Sequence, residues 1–288
     1  HDLAHRVGAG FELVAVGVKD INKPRVGIAQ SLLTQDLESV ALSGADILIE
    51  VMGGIEPARS LILSAMEAGA SVVTANKALM AEDGAALYAA AERFDVDLYF
   101  EAAVAGAIPL IRPLRESLAG DRVTKVMGIV NGTTNFMLTK MDEEGANYAE
   151  VFDQANALGY LESDPSLDVD GIDAAAKAAI LAELAFHTRV TLADVYCEGI
   201  GNVTKADIAA ARDMGFVIKL LAIAELVGTQ EKEDGIVVRV HPAMIPLHHP
   251  LANVRGSFNA VFVQAEAAGE MMFYGRGAGG DPTASAVL

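Results

Sequence analysis

Residues 45–77, ADILIEVMGGIEPARSLILSAMEAGASVVTANK, contain two short apolar runs separated by an amphipathic segment. The runs at 45–52 and 71–75 have the length and the β-branched content of buried strands. Between them, residues 57–68 carry apolar side chains at helical spacing. A strand, a helix and a second strand in this order predict two parallel strands joined by a crossover helix.

The same alternation continues on both sides, with apolar runs at 11–18 and 97–103 and a second helical pattern at 81–94. This pattern predicts a Rossmann-like, doubly wound parallel sheet over residues 1–110, an architecture that binds nucleotides. Such a domain opens with a strand and a glycine-rich turn for the pyrophosphate, and residues 1–8 resemble the end of the helix that follows this turn. We therefore expect the nucleotide-binding domain to be incomplete at its N-terminus.

The pattern changes after residue 110, because few strands are followed by a helix of their own. Predicted strands lie at 125–130, 217–226, 236–240, 259–266 and 271–274, and predicted helices at 135–141, 148–158 and 172–186. Residues 111–280 therefore read as an α+β domain with a mixed or antiparallel sheet covered on one face. Residues 281–288 read as the start of a helix that returns to the first domain, so we expect the C-terminus to be incomplete as well.

Composition excludes several classes of protein. The 288 residues carry 39 acidic and 21 basic side chains, a net charge of -18, which repels nucleic acid. The longest uncharged apolar stretch, 102–111, is about half of the ~20 residues that a membrane-spanning helix needs. We expect a soluble, cytoplasmic protein that binds neither nucleic acid nor membrane. We also expect Cys197, the single cysteine, to be a small buried residue.

The most informative stretch for chemistry is 155–177, ANALGYLESDPSLDVDGIDAAAK. Gly159 ends one predicted helix, and an acidic loop leads to the next, where Asp173 and Lys177 stand four residues apart on one face. Carboxylates grouped around one lysine suit a small zwitterion, because they bind an ammonium while the lysine moves a proton. An exposed acidic loop with an ordinary ion pair is the alternative. The spacing does not fit an EF-hand calcium loop.

This stretch resembles the signature of the homoserine dehydrogenase family. The matching positions are Ala155, Gly159, Tyr160, Asp164, Pro165, Asp168, Gly171, Asp173 and Lys177. Leu161 departs from the pattern, because the family usually has a small residue there. The resemblance implies reversible, NAD(P)-dependent reduction of L-aspartate 4-semialdehyde to L-homoserine, a step in threonine, methionine and isoleucine biosynthesis.

Further segments resemble landmarks of the same family in the expected order. They are residues 50–56 (EVMGGIE), 74–77 (TANK), 101–108 (EAAVAGAI), 131–135 (NGTTN) and 275–283 (GRGAGGDPT). The resemblance implies that the cofactor contacts residues of the first, second and last of these segments. Those residues are Gly53, Thr74, Asn76, Lys77, Gly277, Gly279 and Gly280.

The resemblance also assigns roles at the substrate. The expected substrate-binding residues are Gly159, Glu162, Asp168, Asp173 and Thr133. Lys177, with Asp173, is expected to protonate the C4 alkoxide when the semialdehyde is reduced, and Lys77 is the competing candidate for this proton. Glu162 is the expected partner of the substrate ammonium.

A monovalent cation, sodium or potassium, is implied at residues 101–108. Its expected ligands are the side chain of Glu101 and the backbone carbonyls of Val104, Gly106 and Ile108. Oxygen ligands of this kind suit a weakly held alkali cation better than zinc, which prefers nitrogen and sulfur. The cation is expected to stabilise the junction between the domains.

The choice between NADP and NAD depends on the end of the second strand, where Lys19 and Asp20 follow Val18. Lys19 favours the 2′-phosphate of NADP, whereas Asp20 favours the ribose hydroxyl of NAD; we expect NADP. Two other functions compete with the main prediction. A dehydrogenase that forms an acyl phosphate needs a cysteine nucleophile with a histidine base, which Cys197 lacks. The second competing function is that of a truncated or inactive dinucleotide-binding regulator.

We also expect a homodimer formed through the α+β domain.

Overall fold

The computed structural model describes residues 2–162, 164–228 and 235–288. The N-terminal part alternates short strands with helices. In chain order its elements are α1 (Asp2–Val7), β1 (Val16–Gly17), β2 (Leu33–Thr34), α2 (Leu37–Ala41), β3 (Ile47–Glu50), α3 (Ala58–Glu67), β4 (Ser71–Thr74), α4 (Lys77–Phe94) and β5 (Leu98–Tyr99).

The five strands of this part are parallel wherever they pair. β3, β4 and β5 form a three-stranded sheet, and β1 pairs with β2. α3 buries Ile62 and Met66 in the core, so it covers the sheet as a crossover helix. The predicted nucleotide-binding architecture is confirmed. Because parallel strands end at one edge, Glu50 and Thr74 lie opposite each other there.

The strand predicted at 11–18 is wrong in extent, because only Val16–Gly17 is a strand. The described residues provide no neighbouring strand for 11–15, and a strand needs a partner for its backbone hydrogen bonds. The apolar side chains of Phe11 and Leu13 are instead more than half exposed. A cleft of about 1790 Å³, lined mainly by apolar residues, lies between β1 and β3.

The C-terminal part is built on a six-stranded sheet in the order β11-β10-β6-β8-β9-β7. Its elements are β6 (Val123–Ile129), α5 (Gly132–Glu144), α6 (Tyr148–Ala157), α7 (Ser166–Val169), α8 (Ile172–Phe186), β7 (Tyr196–Cys197), α9 (Lys205–Asp213), β8 (Phe216–Val227), β9 (Gly235–Pro246), β10 (Phe258–Ala265), β11 (Gly269–Arg276) and α10 (Gly280–Val287). All neighbouring strands are antiparallel except β7 and β9. The prediction of a mixed sheet is confirmed.

Helix α8 connects the two parts of the molecule. Its alanine-rich sequence buries residues on all sides, because it packs against β8 of the mixed sheet and against α4 of the N-terminal part. It starts directly after Gly171, whose φ of +83° favours glycine. Asp173 and Lys177 therefore lie at the junction between the two parts. None of the helices in the described ranges combines the length and apolar character that crossing a bilayer requires.

The approach to α8 is held in place by a close backbone contact at Gly199. A Cβ at this position would lie 2.1 Å from the oxygen of Val169 and 2.4 Å from the Cα of Asp170. We expect Gly199→Ala to lower the free energy of unfolding by about 1–3 kcal/mol, because backbone atoms must move to admit the methyl group. Urea unfolding measures the change. Gly201→Ala is the control, since a Cβ there meets no atom within 4 Å, and an equal loss in both variants would contradict the prediction.

A buried lysine lies within the mixed sheet. Lys219 of β8 is 2% exposed, and its ammonium donates to Val254 O at 2.6 Å and to Asn135 Oδ1 at 2.8 Å. A longer hydrogen bond of 3.4 Å reaches Thr139 Oγ1. No carboxylate in the described ranges forms an ion pair with it, and burial lowers the pKa of Lys219 to about 8.

This lysine gives a testable dependence of stability on pH. The pKa of Lys219 is about 8 in the folded chain and 10.5 ordinarily. Below pH 8 the ammonium is charged in both states, so the free-energy penalty of burying the charge is fully present. The penalty decreases as the pH rises towards 10.5. In urea unfolding at several pH values, we expect the parent to gain stability over this window relative to Lys219→Met. Parallel curves for the two chains would contradict this.

Candidate active site

The centre of the site is the carboxylate of Asp173, which lies between two lysines. Lys177 Nζ lies 2.7 Å from Asp173 Oδ2, one helical turn away on α8. Lys77 Nζ, at the start of α4, lies 2.5 Å from the other oxygen, Oδ1, as an ion pair without hydrogen-bond alignment. One carboxylate therefore joins the N-terminal part of the molecule to the C-terminal part.

The site is graded from an open mouth to a buried end. The side chains of Lys77 and Glu162 are 34% and 43% exposed, and their Nζ and Oε1 atoms are 3.3 Å apart. Those of Asp173 and Lys177 are only 4% and 11% exposed. A small polar molecule would therefore meet Glu162 and Lys77 first and Lys177 last.

The electrostatics follow from this arrangement. Burial opposes the ionisation of Asp173, but Lys177 and Lys77 hold its pKa below the ordinary value. Burial also opposes the charge on Lys77, yet Asp173 and Glu162 outweigh it and raise the pKa of Lys77. Lys77 and Asp173 are thus charged together at neutral pH.

The ammonium of Lys177 has one N–H donor that no described residue accepts. Its ammonium donates to Val130 O and to Asp173 Oδ2, both at 2.7 Å. An ammonium has three N–H donors, and the described residues accept only two of them. The third can reach an oxygen of a bound molecule.

Asp168 is a second buried carboxylate of the site. It lies at 2% exposure in α7 and accepts the backbone N–H of Glu162 at 3.1 Å. Burial raises its pKa, and the hydrogen bond from Asn131 opposes this rise. Asp168 therefore lies inside the site and contacts the backbone of Glu162, whereas the carboxylates of Glu162, Asp164 and Asp170 are exposed.

Asn131 contacts both carboxylates of this centre, and the sequence analysis did not single it out. Its amide nitrogen donates to Asp168 Oδ1 at 2.7 Å and to Asp173 Oδ2 at 3.0 Å. Its oxygen accepts the backbone N–H of Thr134 at 2.8 Å, which starts α5. The Asn-Gly-Thr-Thr sequence signals a helix start, but no sequence pattern signals the two carboxylates that meet there.

Glu50 was also missed, and it organises the predicted cofactor segments. Its carboxylate accepts the N–H of Met52 at 2.8 Å, the N–H of Gly53 at 3.0 Å and the hydroxyl of Thr74 at 2.6 Å. Asn76 then donates to Thr74 Oγ1 at 3.0 Å through its backbone. The loop after β3 and the turn before α4 are therefore fixed to one another.

Two more predicted substrate residues lie together beside this centre. Gly159 ends α6 with a φ of +70°, as expected, and is exposed. Thr133 is buried, and its hydroxyl donates to Tyr160 O at 2.8 Å. Thr133 therefore holds the turn that follows Gly159.

The predicted cation segment meets the glycine-rich segment. A Cβ on Gly106, whose φ is +53°, would lie 2.6 Å from the carbonyl of Gly277, and Ala107 N donates to Arg276 O. Gly279 directly precedes α10 and Gly280 is its first residue. The carboxylate of Glu101 accepts backbone N–H groups of the following helical turn, at 2.7 Å from Ile111 and 3.0 Å from Arg112.

Comparison with known proteins agrees with this geometry. A profile described as homoserine dehydrogenase matches residues 109–288, and one described as homoserine dehydrogenase, NAD binding domain, matches residues 3–101.

The chain belongs to the homoserine dehydrogenase family.

A homoserine dehydrogenase of Corynebacterium glutamicum is 59% identical over 288 residues, which are 100% of this chain and 65% of that protein. The chain therefore spans slightly less than two thirds of this relative. The crystal structure of a homoserine dehydrogenase from Thiobacillus denitrificans superposes with a TM-score of 0.91 at 42% identity, covering 99% of this chain and 65% of that one. A hyperthermophilic archaeal homoserine dehydrogenase in complex with NADPH gives a TM-score of 0.74 at 32% identity over 87% of this chain and 72% of that one.

Two predicted residues of this homoserine dehydrogenase family member lie apart from the centre. Lys19 is exposed after β1, and its backbone oxygen accepts from Gln35 at 2.8 Å. Cys197 is exposed on the short edge strand β7, which corrects the expectation of burial. Its thiol donates to Asp170 O at 3.2 Å, because the backbone before α8 passes beside it.

Proposed function

We propose that the chain is the catalytic part of a homoserine dehydrogenase that interconverts L-homoserine and L-aspartate 4-semialdehyde with NADP(H) or NAD(H). The observation that carries this proposal is the Lys77–Asp173–Lys177 arrangement, with ion pairs of 2.5 and 2.7 Å. A pure dinucleotide sensor has no need of a buried proton donor, so this arrangement favours an enzyme over the regulatory alternative.

The proposed role of each residue follows from its position between the open mouth and the buried end of the site. Glu162, at the mouth, binds the ammonium of the amino acid, and Lys77 beside it binds the carboxylate. Lys177 uses its third N–H on the C4 oxygen: it gives a proton to the alkoxide when the semialdehyde is reduced and takes it back in reverse. Asp173 keeps both lysines in place and compensates their charge.

The cofactor is proposed to lie over the loop after β3. Gly53 and Gly54 are exposed with positive φ, and a Cβ at either would meet no atom within 4 Å, so a flat ring can approach the backbone closely. Thr74 and Asn76 support this loop, and NADP(H), when bound, supplies or accepts the hydride. The remaining proposed contacts are Lys77, Gly277, Gly279 and Gly280.

Lys19 supports the choice of NADP. Its exposed ammonium follows β1, where a 2′-phosphate is expected in this architecture. The carboxylate of Asp20, which would bind the ribose hydroxyl of NAD, already accepts the backbone N–H of Asn22 at 2.9 Å. We therefore propose NADP as the preferred cofactor.

A monovalent cation is proposed at residues 104–108. The carbonyls of Val104, Gly106 and Ile108 lie in a buried turn and accept no hydrogen bond from the described residues. They fit an alkali cation, whereas the Glu101 carboxylate caps the following helical turn and contributes its charge from there. The cation would stabilise the contact between Gly106 and Gly277.

A homodimer is proposed through the face of the mixed sheet opposite α8. Met272 and Tyr274 project from this face, where they pair with Phe262 and Ala260, and they are 41% and 53% exposed. Exposed apolar side chains of this size on a sheet are typical of an interface. Sedimentation equilibrium of the parent and of Tyr274→Glu would test this proposal.

The proposed reaction is tested by homoserine-dependent reduction of NADP and of NAD, after circular dichroism has confirmed that the chain is folded. We expect reduction that depends on homoserine and is faster with NADP. The chain with Lys177→Met is the control for contaminating activity. A folded parent that reduces neither cofactor would contradict the proposal.

A further inference from the structure

We propose that Asn131 is a positioning residue that holds the carboxylates of Asp168 and Asp173 with a single amide group. The proposal rests on the function proposed above. The two hydrogen bonds, of 2.7 and 3.0 Å, come from the same nitrogen, and Asn131 itself is 6% exposed. Two buried carboxylates thus share one amide nitrogen.

The orientation of this amide is determined by its surroundings. Its oxygen accepts from the N–H of Thr134 at 2.8 Å and from the hydroxyl of Thr134 at 2.9 Å. The backbone N–H can only donate and carboxylate oxygens accept, so the amide oxygen faces Thr134 and the amide nitrogen faces the carboxylates. The start of α5 therefore directs two N–H donors into the site.

Each hydrogen bond has a separate consequence. At Asp173 the amide and Lys177 both bind Oδ2, which leaves Oδ1 directed at Lys77. At Asp168 the amide binds Oδ1, and Oδ2 accepts the backbone N–H of Glu162. Asn131 thereby fixes the direction of the lysine pair and the place of the loop that carries Glu162.

The charged groups around Asp168 explain why a donor is needed there. Burial raises the pKa of Asp168, and the charges of Asp173 and Glu162 add to this rise, whereas the amide of Asn131 and the backbone N–H of Glu162 lower the pKa. Lys177 and Lys77 contact Asp173 rather than Asp168 within the described residues. Asn131 is thus the side chain that favours the ionised form of Asp168 beside two other carboxylates.

The alternative is that Asn131 only starts α5, and the chain offers a matched control for this role. Asn147 starts α6 in the same way, accepting the N–H of Glu150 at 3.0 Å, and it is exposed. Serine and aspartate both start helices well, so Asn131→Ser and Asn131→Asp keep this role while removing the amide donor. Asn147→Ser and Asn147→Asp are the controls.

The first measurement is the carboxyl carbon NMR titration of the chain labelled at aspartate, with Asp168→Asn to assign the signal. We expect the midpoint of Asp168 to rise by about one pH unit in Asn131→Ser, which corresponds to the loss of one hydrogen bond to a charged group. In Asn131→Asp, the added carboxylate raises the midpoint further. Unchanged midpoints in the folded Asn131 variants, or equal shifts in the Asn147 controls, overturn the proposal.

The second measurement is the pH profile of kcat/KM with homoserine. We expect its acid limb to move upwards in Asn131→Ser, in the direction of the NMR midpoint, and to stay in place in Asn147→Ser. If Asn131→Ser does not fold, Asn131→Asp is used for both measurements. A parent without homoserine-dependent activity overturns the proposed reaction, whereas the NMR titration still decides the role of Asn131.

Discussion

Replacing Lys177 by methionine is expected to lower kcat for homoserine oxidation by about 10²–10⁴-fold while KM stays close to that of the parent. The reason is the third N–H of Lys177, which no described residue accepts and which lies at a position with 11% side-chain exposure. Methionine keeps the apolar stem but cannot transfer a proton. Asp173 retains Lys77 as a counter-ion, so the variant is expected to fold.

The matched variant is Lys77→Met, measured in the same steady-state assay. Lys77 lies at the mouth and contacts Glu162, so its loss is expected to raise KM more than it lowers kcat. A large loss of kcat in Lys77→Met, with kcat preserved in Lys177→Met, would contradict our assignment of the proton donor.

Replacing Asp173 by alanine is expected to lower the free energy of unfolding by about 3–5 kcal/mol, the cost of leaving a buried ion-pair partner uncompensated. The variant leaves Lys177 without an anionic contact among the described residues and brings two ammonium groups towards the same space. Urea unfolding at neutral pH measures the loss. Asp170→Ala is the control, because this carboxylate is exposed at the end of α7.

The same carboxylate predicts how the effect depends on pH. The pKa of Asp173 is lowered on folding, so its contribution to stability is fully present above its ordinary value of 3.8 and is lost as the pH falls below it. The difference between the parent and Asp173→Ala should therefore shrink in acid. A difference that is constant with pH would show that Asp173 contributes through packing alone.

Regular elements were predictable from the sequence where one pattern dominated. The helix predicted at 172–186 has the bounds of α8, Ile172–Phe186, because an alanine-rich run of this length is too long for a buried strand. Strand β8 was placed within a residue at each end. In contrast, α9 was not predicted, although Thr204 and Asp207 form a capping box at its start, because its apolar face is short.

The site was predictable only as far as residues within one segment are concerned. Asp173 and Lys177 share a helix, so their spacing predicted that they are close enough to pair or to converge on one ligand, and in the structure they form an ion pair. Lys77 is on another element, and its contact with Asp173 depends on how α4 packs against α8. Asn131 was missed because Asp168 and Asp173 come from distant segments, and Glu50 was missed because its contact with Thr74 joins two strands; single residues carry no periodic signal.

The contact between Gly106 and Gly277 also bears on how the chain folds. It joins segments that are far apart in sequence, and it places α10 against residues 101–103, next to the parallel sheet. Loops of this length close slowly, since the entropy of closure must be overcome before the contact stabilises anything. On the ribosome, residues 101–103 are therefore synthesised before the mixed sheet, but α10 can pack against them only after that sheet has emerged.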